Sequence, residues 1–228
     1  MSRPVQTSPE EQALRAELCR MGALVHQKGF VAANDGNLSV RLSDGGFLIT
    51  PTGVSKGLME PEEMVRLSPQ GDPVDPEGPR SSSETKMHLA VYRKDPSIGA
   101  VVHTHSPYAT YFSTWGAGTR FPHLCADILV QVGEIPVAPY CPLGTWELAD
   151  TVAGYCLDYN AVLLCNHGVV TWGSSLREAY YRAEAVESYF HIFSLYCQNQ
   201  GRGNLLTPEQ VSQLAQVRRG RGNLKGGE

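Results

Sequence analysis

The chain has 228 residues, a length ordinary for one domain, and 42% hydrophobic against 18% charged residues can fill a substantial core. A formal net charge of -4 argues against a general nucleic-acid binder. No run approaches the ~18 apolar residues of a membrane span, and Met1 to Ser8 carries no apolar leader core, so a cytoplasmic protein without a membrane partner is expected. The six cysteines (Cys19, Cys125, Cys141, Cys156, Cys165, Cys197) never form C-x-x-C, which fits buried, reduced, structural thiols.

Ser8-Pro9-Glu10-Glu11 reads as an N-cap with proline at the first helical position, and Ala13, Leu14, Leu18, Met21 and Val25 follow at helical spacing. A helix is expected over 8–28, capped by Gly29. Asn34-Asp35-Gly36-Asn37 then turns the chain into a strand over 38–42, and Ser43-Asp44-Gly45-Gly46 is a hairpin signal before a strand at Phe47-Leu48-Ile49-Thr50. After a short helix or turn at Glu60–Glu63, Met64 to Leu67 is another strand, and the proline-rich segment 69–79 is a surface loop.

Ser83 or a neighbour should cap a helix running to Asp95. Pro107 to Trp115 reads as a helix, Ile128-Leu129-Val130 and Ile135-Pro136-Val137 as short strands, 144–157 as a helix and Ala161 to Cys165 as a strand. The longest helical pattern, Leu176 to Gln198, carries Tyr180, Tyr181, Tyr189, Phe190, Phe193 and Tyr196, which suit a core or a subunit interface. The tail from Gly201 holds five of the 19 basic residues; Thr207 can cap one short helix, and disorder is expected from Arg218 onward.

Chemistry concentrates where two apolar runs end in histidine. Side chains alternate along a strand, so His103 and His105 in Val101-Val102-His103-Thr104-His105 point the same way and can share an ion. Such a pair can also be two polar residues satisfied by backbone. A third histidine, His167 after Leu163-Leu164-Cys165-Asn166, would complete the three ligands that a catalytic zinc site takes while leaving a position open. Three polar turns, at Gly36-Asn37, Thr52-Gly53 and Ser82-Ser83, offer amides and hydroxyls for a phosphate.

Taken together, Gly36-Asn37-Leu38-Ser39, Thr50-Pro51-Thr52-Gly53, Ser82-Ser83-Glu84, His103-Thr104-His105 and Asn166-His167-Gly168, in this order and spacing, resemble the zinc-dependent class II aldolase family. That family is typified by L-fuculose-1-phosphate aldolase and includes L-ribulose-5-phosphate 4-epimerase. The resemblance implies a three-layer α/β/α fold with a central, mainly antiparallel sheet over residues 8–200, with 201–228 as a tail. It also implies a cyclic homotetramer with active sites at subunit interfaces.

By motif, His103, His105 and His167 resemble the ligands of one divalent ion per subunit, zinc first, with manganese or cobalt as substitutes. Glu84 resembles the acid that shuttles the proton and that can also touch the ion when substrate is absent. Gly36, Asn37, Thr52, Gly53, Ser82 and Ser83 resemble the phosphate-binding set, and His88, one turn after Glu84, reads as structural or as acting behind the ligands.

The implied activity is retro-aldol cleavage of a 1-phosphoketose, such as a fuculose, rhamnulose-like, 5-deoxyribulose or 5-methylthioribulose phosphate, to dihydroxyacetone phosphate and an aldehyde. Its alternatives on the same site are a sugar-phosphate 4-epimerase, a methylthioribulose-1-phosphate dehydratase and an oxo-acid-phosphate decarboxylase, with the non-enzymatic head domain of adducin disfavoured by the complete site. The fuculose enzymes place a tyrosine at mid-chain and another near the C-terminus. This chain has Cys125-Ala126-Asp127 near the first place and no tyrosine after Tyr196, so a less polar, more permissive aldehyde subsite is expected, with Asp127 restoring polarity if it points inward.

Overall fold

The computed structural model describes residues 7–220. Ser8 is extended and its hydroxyl accepts the Glu11 amide at 3.1 Å, so α1 (Pro9–Gln27) begins at a filled cap with proline in its first turn. It stops where Gly29 takes φ +71. The hairpin signal holds: β1 (Asn37–Arg41) pairs antiparallel with β2 (Phe47–Ile49), and β2 with β3 (Val65–Leu67). A 3-10 turn, Pro61–Glu63, precedes β3, and the proline-rich segment forms a connecting loop before α2 (Thr85–Lys94).

The remaining order is β4 (Ala100–Thr104), α3 (Pro107–Ser113), α4 (Ala126–Gln131), β5 (Val137–Ala138), α5 (Trp146–Tyr155), β6 (Ala161–Leu164), β7 (Gly168–Gly173), α6 (Leu176–Gln198) and α7 (Pro208–Gly220). The seven strands form one sheet in the order β3-β2-β1-β4-β7-β6-β5. All pairs are antiparallel except β5 with β6.

Helices cover both faces, so the strands are buried on both sides and read as nearly continuous apolar runs. On one face Val101, Val162, Val170 and Trp172 pack against Met87 and Val91 of α2 and Leu148 and Val152 of α5. On the other, Leu38, Val40 and Val102 meet Leu18 and Val25 of α1 and Ala179 and Ala183 of α6. A third cluster joins Leu163 and Val169 to Phe112 of α3, Ile128 of α4 and Phe190 of α6. The fold is thus the three-layer α/β/α arrangement around a mainly antiparallel sheet.

Four local expectations are corrected. Ile128-Leu129-Val130 lies in helix α4, not in a strand; three adjacent apolar residues suit either period, and burial beside Phe112 and Phe190 selects the helix. The strand expected at Ile135–Val137 is the two-residue β5 at Val137–Ala138. Strand β7 was not foreseen, because Asn166-His167-Gly168 reads as a chemical motif and conceals the hairpin turn that it also is: Asn166 has φ +57, and Leu164 pairs with Gly168. The tail helix α7 runs through Arg218 to Gly220, where disorder was expected, and Arg218 is buried with Nη1 3.5 Å from the Leu129 carbonyl. The expected disorder beyond residue 220 falls outside the described residues.

The six cysteines are free, as expected, but only Cys141 and Cys156 are buried, and Cys197 is exposed. Among the described residues no helix is long and apolar enough to cross a membrane.

Candidate metal centre

Strand β4 carries the chemistry because its two faces divide the labour. Ala100 and Val102 face the α1–α6 layer, while Val101 and His103 face α2. His105 lies just past the strand's end and stays on the side of His103, their Nε2 atoms 3.0 Å apart. His167 arrives from the β6–β7 turn, and ligand atoms of His103, His105 and His167 all lie within 4.8 Å of one another. The three rings meet edge to face, with centroids 4.8–4.9 Å apart. A side chain at position 168 would destroy this approach: a Cβ on Gly168 would stand 2.5 Å from the Thr104 carbonyl oxygen and 3.0 Å from His105 Cδ2.

Glu84 enters from the start of α2, where it occupies the N-cap position while the Ser82 hydroxyl accepts its amide at 3.2 Å. The expected serine cap is therefore indirect. The Glu84 carboxylate lies 3.2 Å from His103 Nε2 and 3.4 Å from His167 Nε2. It is buried, and its Oε1 has no hydrogen-bond partner. Burial would raise this carboxyl, but the charge and hydrogen bond of His103, then His167 and Asn37, hold it well below the usual carboxylate range.

The imidazoles divide in the same field. Burial and the neighbouring His103 push His105 down to about 4 and His167 down to about 3. His103 moves the other way, since the Glu84 carboxylate outweighs its burial. His103 Nε2 and the Glu84 carboxylate thus attract each other, on the donor atoms that a cation would use. Three convergent imidazole nitrogens, an unpartnered carboxylate oxygen and a glycine that clears the space fit a divalent ion with an open coordination position.

Outer contacts orient two of the rings. The Val169 carbonyl accepts from His103 Nδ1 at 3.0 Å, and Asp35 Oδ2 lies 3.4 Å from His105 Nδ1. Glu187 of α6, buried, accepts the Tyr108 and Ala109 amides at 2.9 and 2.8 Å, fixing the start of α3 directly after His105. The sequence marks neither Asp35 nor Glu187 as a site residue: Asp35 reads only as part of a turn, and no local pattern marks Glu187.

The expected phosphate set is partly assembled. Asn37 pairs with His103 across β1 and β4, and its Nδ2 donates to Glu84 Oε2 at 2.9 Å and to Ser82 Oγ at 3.1 Å. Gly36, at φ +69, could not carry a side chain without meeting the His103 carbonyl at 2.8 Å. A bridge between Pro51 and Ser81 lays the Thr52-Gly53 turn beside Ser82-Ser83, and Thr52, Gly53 and Ser83 are exposed there.

Between the turns that hold Asn34 and Val54 lies Lys56, 1% exposed, donating to the Asn34 and Val54 carbonyls at 3.1 and 2.8 Å. Burial lowers it to about 8, against the pull of Asp35. Sequence reasoning missed this lysine, and an apolar setting gives it no signal. Asp127 is exposed at the start of α4, whereas Ile128 and Leu129 are buried in the α3–α4–α6 cluster.

The fold agrees with the comparisons. The chain belongs to the Class II Aldolase and Adducin N-terminal domain family, which it matches over residues 16–194. It is 34% identical over 208 residues to a 3-oxo-tetronate 4-phosphate decarboxylase of Pectobacterium atrosepticum, covering 90% of this chain and 94% of the relative. It is 32% identical over 212 residues to a 5-deoxy-D-ribulose 1-phosphate aldolase of Bacillus thuringiensis serovar kurstaki, covering 92% and 98%. The crystal structure of YgbL from Escherichia coli superposes with a TM-score of 0.84 at 31% identity, covering 90% of this chain and 98% of that one.

Proposed function

We propose that this protein decarboxylates a phosphorylated 3-oxo acid bearing a 2-hydroxyl, releasing carbon dioxide and dihydroxyacetone phosphate. The carrying observation is the similarity to the Pectobacterium decarboxylase along 90% of the chain. This reading replaces aldol cleavage as the leading one, and the chemistry explains how close the two are. A 3-oxo-tetronate 4-phosphate and a 1-phosphoketose share a phosphate end, a carbonyl and an adjacent hydroxyl, and differ in what leaves.

A divalent ion on His103, His105 and His167, which we take to be zinc with manganese or cobalt able to substitute, would act as a Lewis acid toward the substrate's carbonyl and hydroxyl oxygens. Asn37, Thr52, Gly53, Ser82 and Ser83, with the Gly36 turn, would hold the phosphate, placing the bond to the carboxylate over the centre. When that carbon–carbon bond breaks, its electron pair passes to the carbon beside the carbonyl and is delocalised onto the carbonyl oxygen. Glu84, having taken a proton from solvent, delivers it to that carbon.

Aldol cleavage needs one thing more, removal of the proton from the hydroxyl that becomes the aldehyde. Carbon dioxide leaves from a carboxylate that has no such proton. Cys125-Ala126-Asp127, near the place where the fuculose enzymes carry a tyrosine, suits the leaving group that requires no base. The second reading, cleavage of a 1-phosphoketose, is favoured by the Bacillus thuringiensis aldolase at 32% identity.

The deciding measurement is kcat/KM of the zinc-loaded protein for carbon dioxide release from 3-oxo-tetronate 4-phosphate against aldehyde release from 5-deoxyribulose and fuculose 1-phosphates. Preference for either phosphoketose would overturn the decarboxylase reading. We further propose a cytoplasmic homotetramer whose contacts use exposed apolar residues such as Tyr111, Trp115, Tyr140 and Leu143.

A further inference from the structure

Behind Asn37 runs a buried polar chain that the proposed chemistry does not use. His88 Nε2 lies 2.6 Å from Asn37 Oδ1, His88 Nδ1 2.7 Å from Ser39 Oγ, and Ser39 Oγ 2.7 Å from the Tyr92 hydroxyl. Ser39, His88 and Tyr92 are each 1% exposed. The direction of every bond in this chain follows from its end. An ionised Glu84 can only accept, so the Asn37 nitrogen faces Glu84 and its oxygen faces His88. His88 must then carry its proton on Nε2, its Nδ1 must accept from Ser39, and Ser39 must accept from Tyr92. A neutral His88 agrees with its burial, which with His103 lowers it to about 3.

We infer that Tyr92, Ser39 and His88 are positioning residues that lock the Asn37 amide with its nitrogen toward Glu84 and Ser82. Rotated by half a turn, Asn37 would present its oxygen to the Glu84 carboxylate and repel it. One donated proton, on His88 Nε2, separates the two orientations, as a histidine's outer bond selects its tautomer elsewhere. The inference rests on the assignment of Glu84 and Ser82 to the reacting site, and its test is arranged so that the two can fail separately.

In the wild-type protein, two-bond 15N–1H correlation spectra of the seven histidines, with His88 assigned by its loss in His88→Gln, should show His88 as the neutral Nε2–H tautomer. A proton on Nδ1 would overturn the inference without reference to any substrate. The second arm uses exchange of a carbon-bound proton of dihydroxyacetone phosphate in D2O, a half-reaction common to decarboxylase and aldolase. Gln at position 88 can place a donor where Nε2 stands, while Asn, which is shorter, reaches only the Nδ1 side.

His88→Gln should stay within about threefold of wild type, and His88→Asn should fall at least about tenfold, with zinc content unchanged in both; tenfold corresponds to ~1.4 kcal/mol, the scale of one lost hydrogen bond. Equal losses in the two variants would reduce the chain to a structural role. Tyr92→Phe, which leaves the Ser39 and His88 links in place, should lose less than His88→Asn; the reverse order would also overturn the inference. No exchange in the wild-type protein would count against Glu84 as the proton carrier, and the tautomer would then decide the inference alone.

Discussion

Glu84 touches His103 and His167 and accepts from Asn37, which places its carboxylate between the nitrogen donors and the phosphate turns. Glu84→Gln keeps the shape and the hydrogen-bonding volume but cannot move a proton. Exchange into dihydroxyacetone phosphate should therefore fall by ~10²–10⁴-fold with zinc content retained, read by NMR in D2O and by metal analysis of the same sample. A near-normal exchange rate would remove Glu84 from the reaction. Asp35 is a subtler case, since its oxygen lies 3.4 Å from the outer nitrogen of His105 and is half exposed. Asp35→Asn should weaken zinc binding by about 10–100-fold in a chelator competition while leaving the fold unchanged.

At the scale of elements, the site depends on a chain reversal packed against strand β4. The β6–β7 turn brings His167 to β4, and Gly168 allows the close approach to Thr104. In Gly168→Ala, the new methyl would displace backbone on one side and two histidine rings on the other. We expect a loss of ~1–3 kcal/mol in urea denaturation together with reduced zinc content. Retained zinc at wild-type stability would mean that β4 and β7 have room to separate.

That turn also marks a limit of sequence reading. Asn166-His167-Gly168 was legible as chemistry, yet its role as a hairpin and the presence of β7 were not, because Val169-Val170-Thr171-Trp172 is buried on both faces and lacks alternation. The α4 segment failed for a related reason: Ile128-Leu129-Val130 is too short to show a period, and its neighbours Phe112 and Phe190 come from elsewhere in the chain.

For the molecule as a whole, stability should depend on pH through its buried imidazoles. His88 is held near 3 in the folded state by burial, while in the unfolded chain it titrates near the ordinary 6.5. Below 6.5 the unfolded chain takes up a proton that the folded one refuses, so this contribution is complete above 6.5 and is lost as pH falls toward 3. The slope is ~1.4 kcal/mol per pH unit for one proton. His105 and His167, also lowered, and Glu84 act in the same direction in the metal-free protein, while the raised His103 opposes them. Urea denaturation of the metal-free protein from pH 7 to 5 should show falling stability, and His88→Gln should fall less steeply by about one proton's slope. Parallel curves for the two proteins would show that His88 is charged in the fold.

Sequence by itself determined the family through five ordered motifs that resemble it, and that resemblance implied the three-layer class and singled out Glu84; the histidine triad follows from local spacing, two histidines on one strand face and a third at the end of an apolar run. It left open which of several lyase reactions the site performs, since the shared motifs hold the end of the substrate that those reactions have in common. Only the tertiary structure decided the partners that come from distant segments. Asp35 behind His105, Glu187 capping α3, Lys56 between two turns and the His88–Ser39–Tyr92 chain behind Asn37 each join residues whose separation in the chain carries no periodic trace. Their meeting is set by how the sheet, its helices and its loops pack, and a buried polar group must find its hydrogen bonds wherever that packing puts it.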